Sequence, residues 1–480
     1  MFSYFNLISS VSPCVQEKKS SYSCLTERHL QVMWLEQKYF RKPLKTEEGD
    51  IEVLSPGIWN TEAGPDFLKA HIRIGRQEFK GAVEIHLSDE NWYHHRHQED
   101  ERYDQVILHV SFWKPKERKA IIKKNGVEVR TAYLEESLTI PLARLMQLID
   151  LDLYPYKKFV GSGKCAHHLF KALSPQKIDS LFISASYWRL EQKARFLKER
   201  LLDLPLQLVG GMAMALGYKH NADAFLELFL FLLNYRDLPF EELLAIALGC
   251  CGFFERQRSN WEASTYYQEL QVLWKGQQHQ IMHQTQLRLD RIRPFNHPVR
   301  RLAYLAKLLQ DPLMETIWDN MFQLWESYIT GELELNLATQ LFQQRLIATI
   351  PTYEDLYWNH HYTFEASPHQ EFLPLMGGDL KEKILINTYL PLLYSVLQNQ
   401  KQFNQWQAFQ AFYQIFSYSK SSKSQYLTHR FFGDSPKKRL INTVQMEQGA
   451  YQLHKDFCLF YEASCEGCSF VERYLSLTSH

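Results

Sequence analysis

The alternation of apolar and polar residues divides the chain into two different halves. Near the N-terminus, Leu30, Met33, Trp34 and Gln37 recur at helical spacing in ERHLQVMWLEQKYF, which predicts one amphipathic helix with Glu27 and Glu36 on its solvated side. After Pro43 the period shortens. Ile51–Leu54, Phe67–Ile74, Phe79–Leu87 and Val106–Trp113 alternate or run continuously as strands of a half-buried or fully buried sheet do, with Gly75 and Gly81 as punctuation. IIKKNGVEVRTA adds a hairpin around Asn125-Gly126. From Pro141 onward strand signals nearly vanish. Apolar residues three and four apart, with Asn, Asp, Ser or Pro at segment starts, predict an all-helical array without a fixed repeat. The expected architecture is therefore α+β, a small mixed sheet followed by a large all-α domain. The expected divisions are an extension over 1–25, an α/β domain over 26–138 and a helical domain over 139–480.

A 480-residue chain with 45% apolar and 14% aromatic residues carries enough apolar mass for more than one core. Lys plus Arg equals Asp plus Glu, 54 against 54, so nucleic-acid binding requires a local basic patch, since global attraction is absent. No run of about eighteen apolar residues suggests a membrane span, and the N-terminus lacks the basic start and cleavage site of a secretory signal. Eight cysteines without a disulfide-like spacing complete the expectation of a cytoplasmic protein.

Candidate chemistry is concentrated between Gly57 and Trp113. Asp66 follows Pro65, and Glu84-Ile85-His86 lies within an apolar run, so strand alternation puts Glu84 and His86 on one face and Ile85 on the other. Asp66 and Glu84, with Glu62 in reserve, are hard oxygen ligands suited to Mg²⁺ or Mn²⁺. His86 is placed to accept a proton from the attacking water or to ligate a softer ion. The bland alternative is that Gly-Pro-Asp is a turn and Glu84 a solvent-facing strand residue. His94, His95 and His97, with Asp100, Asp104 and His109, offer imidazole and carboxylate suited to Zn²⁺ or Mn²⁺. Their spacing matches no HExxH-type signature, so a polar flap with one or two members lining the same pocket, and a buried core histidine at 109, are the expected roles.

Two further features lie in the second half. Cys458, Cys465 and Cys468 form a C-x6-C-x2-C pattern whose CxxC pair can clamp a metal ion or cluster iron. Cys165 is the candidate fourth ligand, with His167 or His168 as substitutes. A [4Fe–4S] cluster and Zn are not separable from the sequence, and buried thiols without metal remain the alternative. Arg288, Arg291, Arg293, Arg300 and Arg301 surround Pro294 and Pro298 before a helix start, a candidate phosphate or nucleic-acid site against the alternative of a solvated charged face.

NTEAGPDF, GAVEIH, YDQVILHV, RIRPFNHPVRRLAYLA and YWNHHYTF together resemble a bacterial family of unknown function, domain family 2851. The N-terminal part is also similar to the PD-(D/E)XK nuclease superfamily. That second resemblance implies a restriction-endonuclease-like fold, with Asp66 and Glu84 as metal-holding acids and His86 standing where a lysine is usual. The function expected on this basis is a Mg²⁺- or Mn²⁺-dependent phosphodiesterase acting on nucleic acid. The alternatives are an inactive nucleic-acid-binding or protein-interaction module on the same fold, and a zinc hydrolase built on the histidines.

Overall fold

The computed structural model describes residues 3–9, 25–46, 49–60, 64–149, 151, 162–255, 260–287, 289, 294–365, 367–400, 403–417, 422–458, 465 and 468–478. Glu62, Arg288, Arg291 and Arg293 lie outside the described residues. The chain forms two compact units. One comprises Met1–Ser186, Ser419–Asn442 and Met446–His480; the other comprises Tyr187–Tyr418 and Thr443–Gln445.

The first unit is built on a mixed sheet. Its strands are β1 (Leu44–Thr46), β2 (Gly49–Ser55), β3 (Ile58–Trp59), β4 (Phe67–Ile74), β5 (Gln77–His86), β6 (Val106–Ser111), β7 (Ile121–Ile122) and β8 (Glu128–Tyr133). They are ordered β1-β2-β4-β5-β6-β8-β7, with β3 paired to β4. β2, β4 and β5 pair antiparallel, whereas β5–β6 and β6–β8 are parallel. A parallel pair needs a crossover. Between β5 and β6 this is supplied by the histidine-rich segment, folded as a short helix α3 (Glu90–His94) and two 3-10 turns, His97–Glu99 and Glu101–Gln105. A left-handed Arg96 (φ 58°) turns the chain from α3 back toward the sheet.

The two sheet faces are chemically unlike. One buries Ile72, Val83, Ile85, Leu108 and Val110 against Leu30, Met33 and Trp34 of α2 (Glu27–Glu36), the expected amphipathic helix. The other face carries Ala82 and Val106 beneath Trp92 and Tyr103, and between these apolar groups it holds buried Glu84, His86 and His109. The β5–β6 register sets Glu84 opposite His109 and His86 opposite Ser111. Gly81 marks the close approach of these strands, where a Cβ would lie 2.6 Å from the Gln105 carbonyl oxygen.

Away from the sheet the same unit packs Phe170 and Phe182 of its first segment ring against ring with Phe431, Phe432 and Phe470 of its C-terminal segments. The second unit is helical throughout its named elements and is organised around a core that includes Leu208, Phe229, Leu244, Trp261, Leu305, Trp325 and Phe412. Among the described residues, no helix is long and apolar enough to cross a membrane.

Candidate functional site

Glu84 stands at the centre of the polar face. Its Oε2 accepts the Asp66 backbone N–H at 2.9 Å, while its Oε1 lies 3.4 Å from His86 Nε2 and 3.2 Å from His97 Nε2. The two Nε2 atoms are themselves 3.3 Å apart. His95, half-buried at the end of α3, joins them, so that one ligand atom each from His86, His95 and His97 lies within 4.8 Å of the others. Strand alternation delivers Glu84 and His86. The turn after α3 delivers His95 and His97, with the His97 ring stacked on Tyr103 at 3.8 Å between centroids.

A second layer orients His86. Its Nδ1 is 3.0 Å from His109 Nε2, and His109 Nδ1 faces Asp89 Oδ1 at 3.8 Å. Those last two atoms are buried without another hydrogen-bond partner. Asp89 Oδ2 accepts the Tyr133 hydroxyl proton at 2.7 Å. The chain of contacts favours one tautomer: Nδ1–H of His86 donates to His109 Nε2, the His109 proton on Nδ1 points at Asp89, and the His86 Nε2 lone pair is left facing Glu84 and His97. Burial, and then the neighbouring imidazoles, hold His86 well below the usual histidine range, and push His109 down to about 3. Both rings are therefore neutral at pH 7, the form that binds metal.

Two further carboxylates, Asp66 and Glu27, border the site. Asp66 Oδ2 accepts the Ile85 N–H at 3.0 Å and Oδ1 accepts from Gln31 Nε2 at 2.6 Å. Its carboxyl is raised well above the ordinary range by burial, with the charges of Glu84 and Glu27 adding to the effect. Glu27, in the first turn of α2, is also raised, chiefly by burial; its Oε1 accepts from Asn91 Nδ2 at 2.9 Å. Glu27 was expected on the solvated side of its helix. The structure turns it inward because α2 presents Glu27 and Gln31, one turn apart, to the same polar pocket.

Of the loop residues, His94 is exposed, Asp100 pairs with Arg102, and Asp104 accepts the Asn125 N–H, so none of the three joins the cluster. Arg300 and Arg301 are buried in the second unit. Arg300 donates to the carbonyls of Phe295, Trp358, Leu373 and Pro374, and Arg301 to Leu375, Tyr218 and Asn296. Their guanidinia cross-brace the main chain and present no surface to a phosphate. Cys165, Cys458 and Cys465 are buried and Cys468 is half-buried, all in the first unit. His167 and His168 are exposed, and His167 hydrogen-bonds Ser162. Cys250 and Cys251 are buried core residues of the second unit.

The family model described as "Protein of unknown function (DUF2851)" matches residues 27–422. The chain belongs to this family. The matched span opens at Glu27 and includes every residue of the histidine and carboxylate cluster. No curated protein and no solved structure matches the chain.

Proposed function

We propose that this member of the DUF2851 family is a metal-dependent hydrolase of phosphodiester bonds, with a divalent transition ion held by Glu84, His86 and His97 and supported by His95. One observation carries the reading, the size of the triangle formed by Glu84 Oε1, His86 Nε2 and His97 Nε2. Its edges are 3.4, 3.2 and 3.3 Å. Ligands at about 2.0–2.1 Å from a tetrahedral ion stand about 3.3 Å apart. Two imidazole nitrogens and a carboxylate oxygen at that separation, with a half-exposed fourth donor, fit Zn²⁺ and, after it, Mn²⁺. The donor set moves the metal expectation away from Mg²⁺, whose usual ligands are oxygens in an octahedron.

The order helix, antiparallel strands β1-β2-β4-β5, helical crossover and parallel β6 supports the nuclease resemblance, as does the placement of Asp66 before β4 and Glu84 on β5. A bound ion supplies Lewis acidity toward a phosphoryl oxygen and a water of lowered pKa. The protein's own groups do the rest. His109 and Asp89 hold the His86 ring in its ligating tautomer. Glu27, whose carboxyl is raised above the usual carboxylate range by burial and which interacts with the charges of His95 and His97, is the protein group offered to take a proton from water. Asp66 fixes the backbone of β5 beneath Glu84 through the Ile85 N–H.

The test is to incubate metal-loaded protein with single-stranded, duplex and branched DNA and with RNA, in Zn²⁺, Mn²⁺ and Mg²⁺ separately. Cleavage with Zn²⁺ or Mn²⁺ that is lost in His86→Ala and Glu27→Gln supports the reading. Metal binding without cleavage of any nucleic acid refutes the phosphodiesterase assignment and favours an inactive module on the same fold.

A further inference from the structure

The cysteines are brought together by contacts distant in sequence. Lys164 N–H points at Cys465 Sγ from 3.5 Å, and the Arg430 guanidinium donates to the same sulfur at 2.7 Å. Gly163 N–H donates to the Arg430 carbonyl at 2.7 Å. This backbone contact ties the segment bearing Cys165 to the helix bearing Arg430, α16 (Ser422–Phe432). A Cβ on Gly163 would lie 3.3 Å from Cys165 Sγ and 3.2 Å from Arg430 Nε, so that sulfur also borders the guanidinium. Cys468 Sγ contacts the Phe457 carbonyl at 3.4 Å, next to Cys458. Every pair among the four cysteines is near enough to interact electrostatically.

Two features distinguish this cluster from an ordinary thiol-lined core. First, Arg430 is a buried cation aimed at a sulfur; burying a guanidinium is costly unless anionic groups compensate it, and Cys465, Tyr426, Cys458 and Cys165 are the groups that favour its charge. Second, Cys465 adopts a left-handed backbone (φ 57°), a conformation unfavourable for a non-glycine residue that persists where its surroundings fix it.

The spacing then selects the metal group. Thiolates at about 2.3 Å from one tetrahedral zinc stand about 3.8 Å apart. Among the described residues, no three cysteine sulfurs lie within 4.8 Å of one another, whereas the histidine cluster meets that limit. A cubane cluster spreads its thiolates wider, because each sulfur binds a different iron. We propose that Cys165, Cys458, Cys465 and Cys468 hold a [4Fe–4S] cluster, with Arg430 offsetting the negative charge of the thiolate-bound core. Its place is structural as well as chemical: it joins the 163–165 segment, α16 and the C-terminal segment within the first unit.

The full chain, purified anaerobically, should contain about four irons and as many acid-labile sulfides. It should show broad visible absorption and an electron paramagnetic resonance signal after dithionite reduction. Cys165→Ser and Cys468→Ser should each lose most of the iron, whereas Cys250→Ser should keep it. Arg430→Met should retain iron and shift the reduction potential downward, because a cluster that loses a neighbouring positive charge is harder to reduce; an unchanged or raised potential counts against the charge assignment. One zinc per chain in place of iron, or wild-type protein free of metal, would overturn the proposal even if the cysteine variants proved unstable. Iron is also counted in Glu84→Gln, where its retention keeps this result independent of the hydrolase reading.

Discussion

Replacing His109 tests whether the second layer of the site controls the first. In wild type, His86 Nδ1 donates across 3.0 Å to His109 Nε2, leaving the ligating lone pair on His86 Nε2. His109→Leu fills similar space but removes the acceptor. His86 then either leaves a buried N–H unpaired, at a cost of about 1–3 kcal/mol, or changes tautomer and loses the lone pair that faces Glu84. Second-layer losses of this kind lower metal affinity by about 10- to 100-fold, or about 1.4–2.7 kcal/mol. His109→Gln restores a carbonyl acceptor and should recover most of that loss. The assay is zinc competition against a chromophoric chelator, with thermal unfolding of each apo variant as a control for folding. Wild-type affinity in both variants would refute the argument. Equal loss in both would show that the imidazole at 109 serves packing and does not act through its acceptor nitrogen.

Three other outcomes follow from the packing. Burial, with Arg28 adding to it, pushes His29 down to about 4; because the folded value is depressed, the unfolded chain binds the proton more tightly, and the contribution present above pH 6.5 is lost as pH falls toward 4. Urea unfolding should show wild type losing about 2 kcal/mol more than His29→Gln between pH 8 and pH 5, and parallel pH profiles would contradict this. Gly81→Ala forces a methyl group to within 2.6 Å of the Gln105 carbonyl oxygen and should cost about 1–3 kcal/mol by the same assay, an unchanged midpoint being the contrary result. Arg300→Ala leaves four carbonyls without their donor and should destabilise the helical unit by about 3 kcal/mol or more; its zinc content should be unchanged, and a fully stable variant would contradict the bracing role.

The parts of this structure that were legible in the sequence are those written in short-range periodicity. Alternation along β5 put Glu84 and His86 on one face and Ile85 on the other, and the structure has them so, because a strand has no other way to present successive side chains. The α2 stripe of Leu30, Met33 and Trp34 was legible for the equivalent helical reason. What the pattern could not supply was which polar residues would face one another. Glu27 reads as a surface charge on an amphipathic helix, and its inward turn is fixed by the hydrogen bond from Asn91, brought close by the tertiary fold. His97 reads as part of a polar loop, and its burial depends on the left-handed step at Arg96 and the Tyr103 ring. Its signal in the sequence was a histidine two residues from another beside an aromatic-rich crossover. The arginines around Pro298 are a strong local cluster, yet α10 (Pro298–Gln310) is buried nearly all round, so Arg300 and Arg301 turn to main-chain carbonyls. The return of the C-terminal helices to the sheet-bearing unit is likewise a long-range contact that no local pattern encodes.

X-ray absorption at the zinc edge of the purified, zinc-loaded protein tests the central claim most directly, because it reports ligand type without requiring a substrate. The account predicts a shell of nitrogen and oxygen at about 2.0–2.1 Å with imidazole outer-shell scattering, diminished in His97→Ala and absent in the His86→Ala, Glu84→Gln double variant. A shell of sulfur alone at about 2.3 Å, or failure of the protein to retain any transition ion, would contradict it.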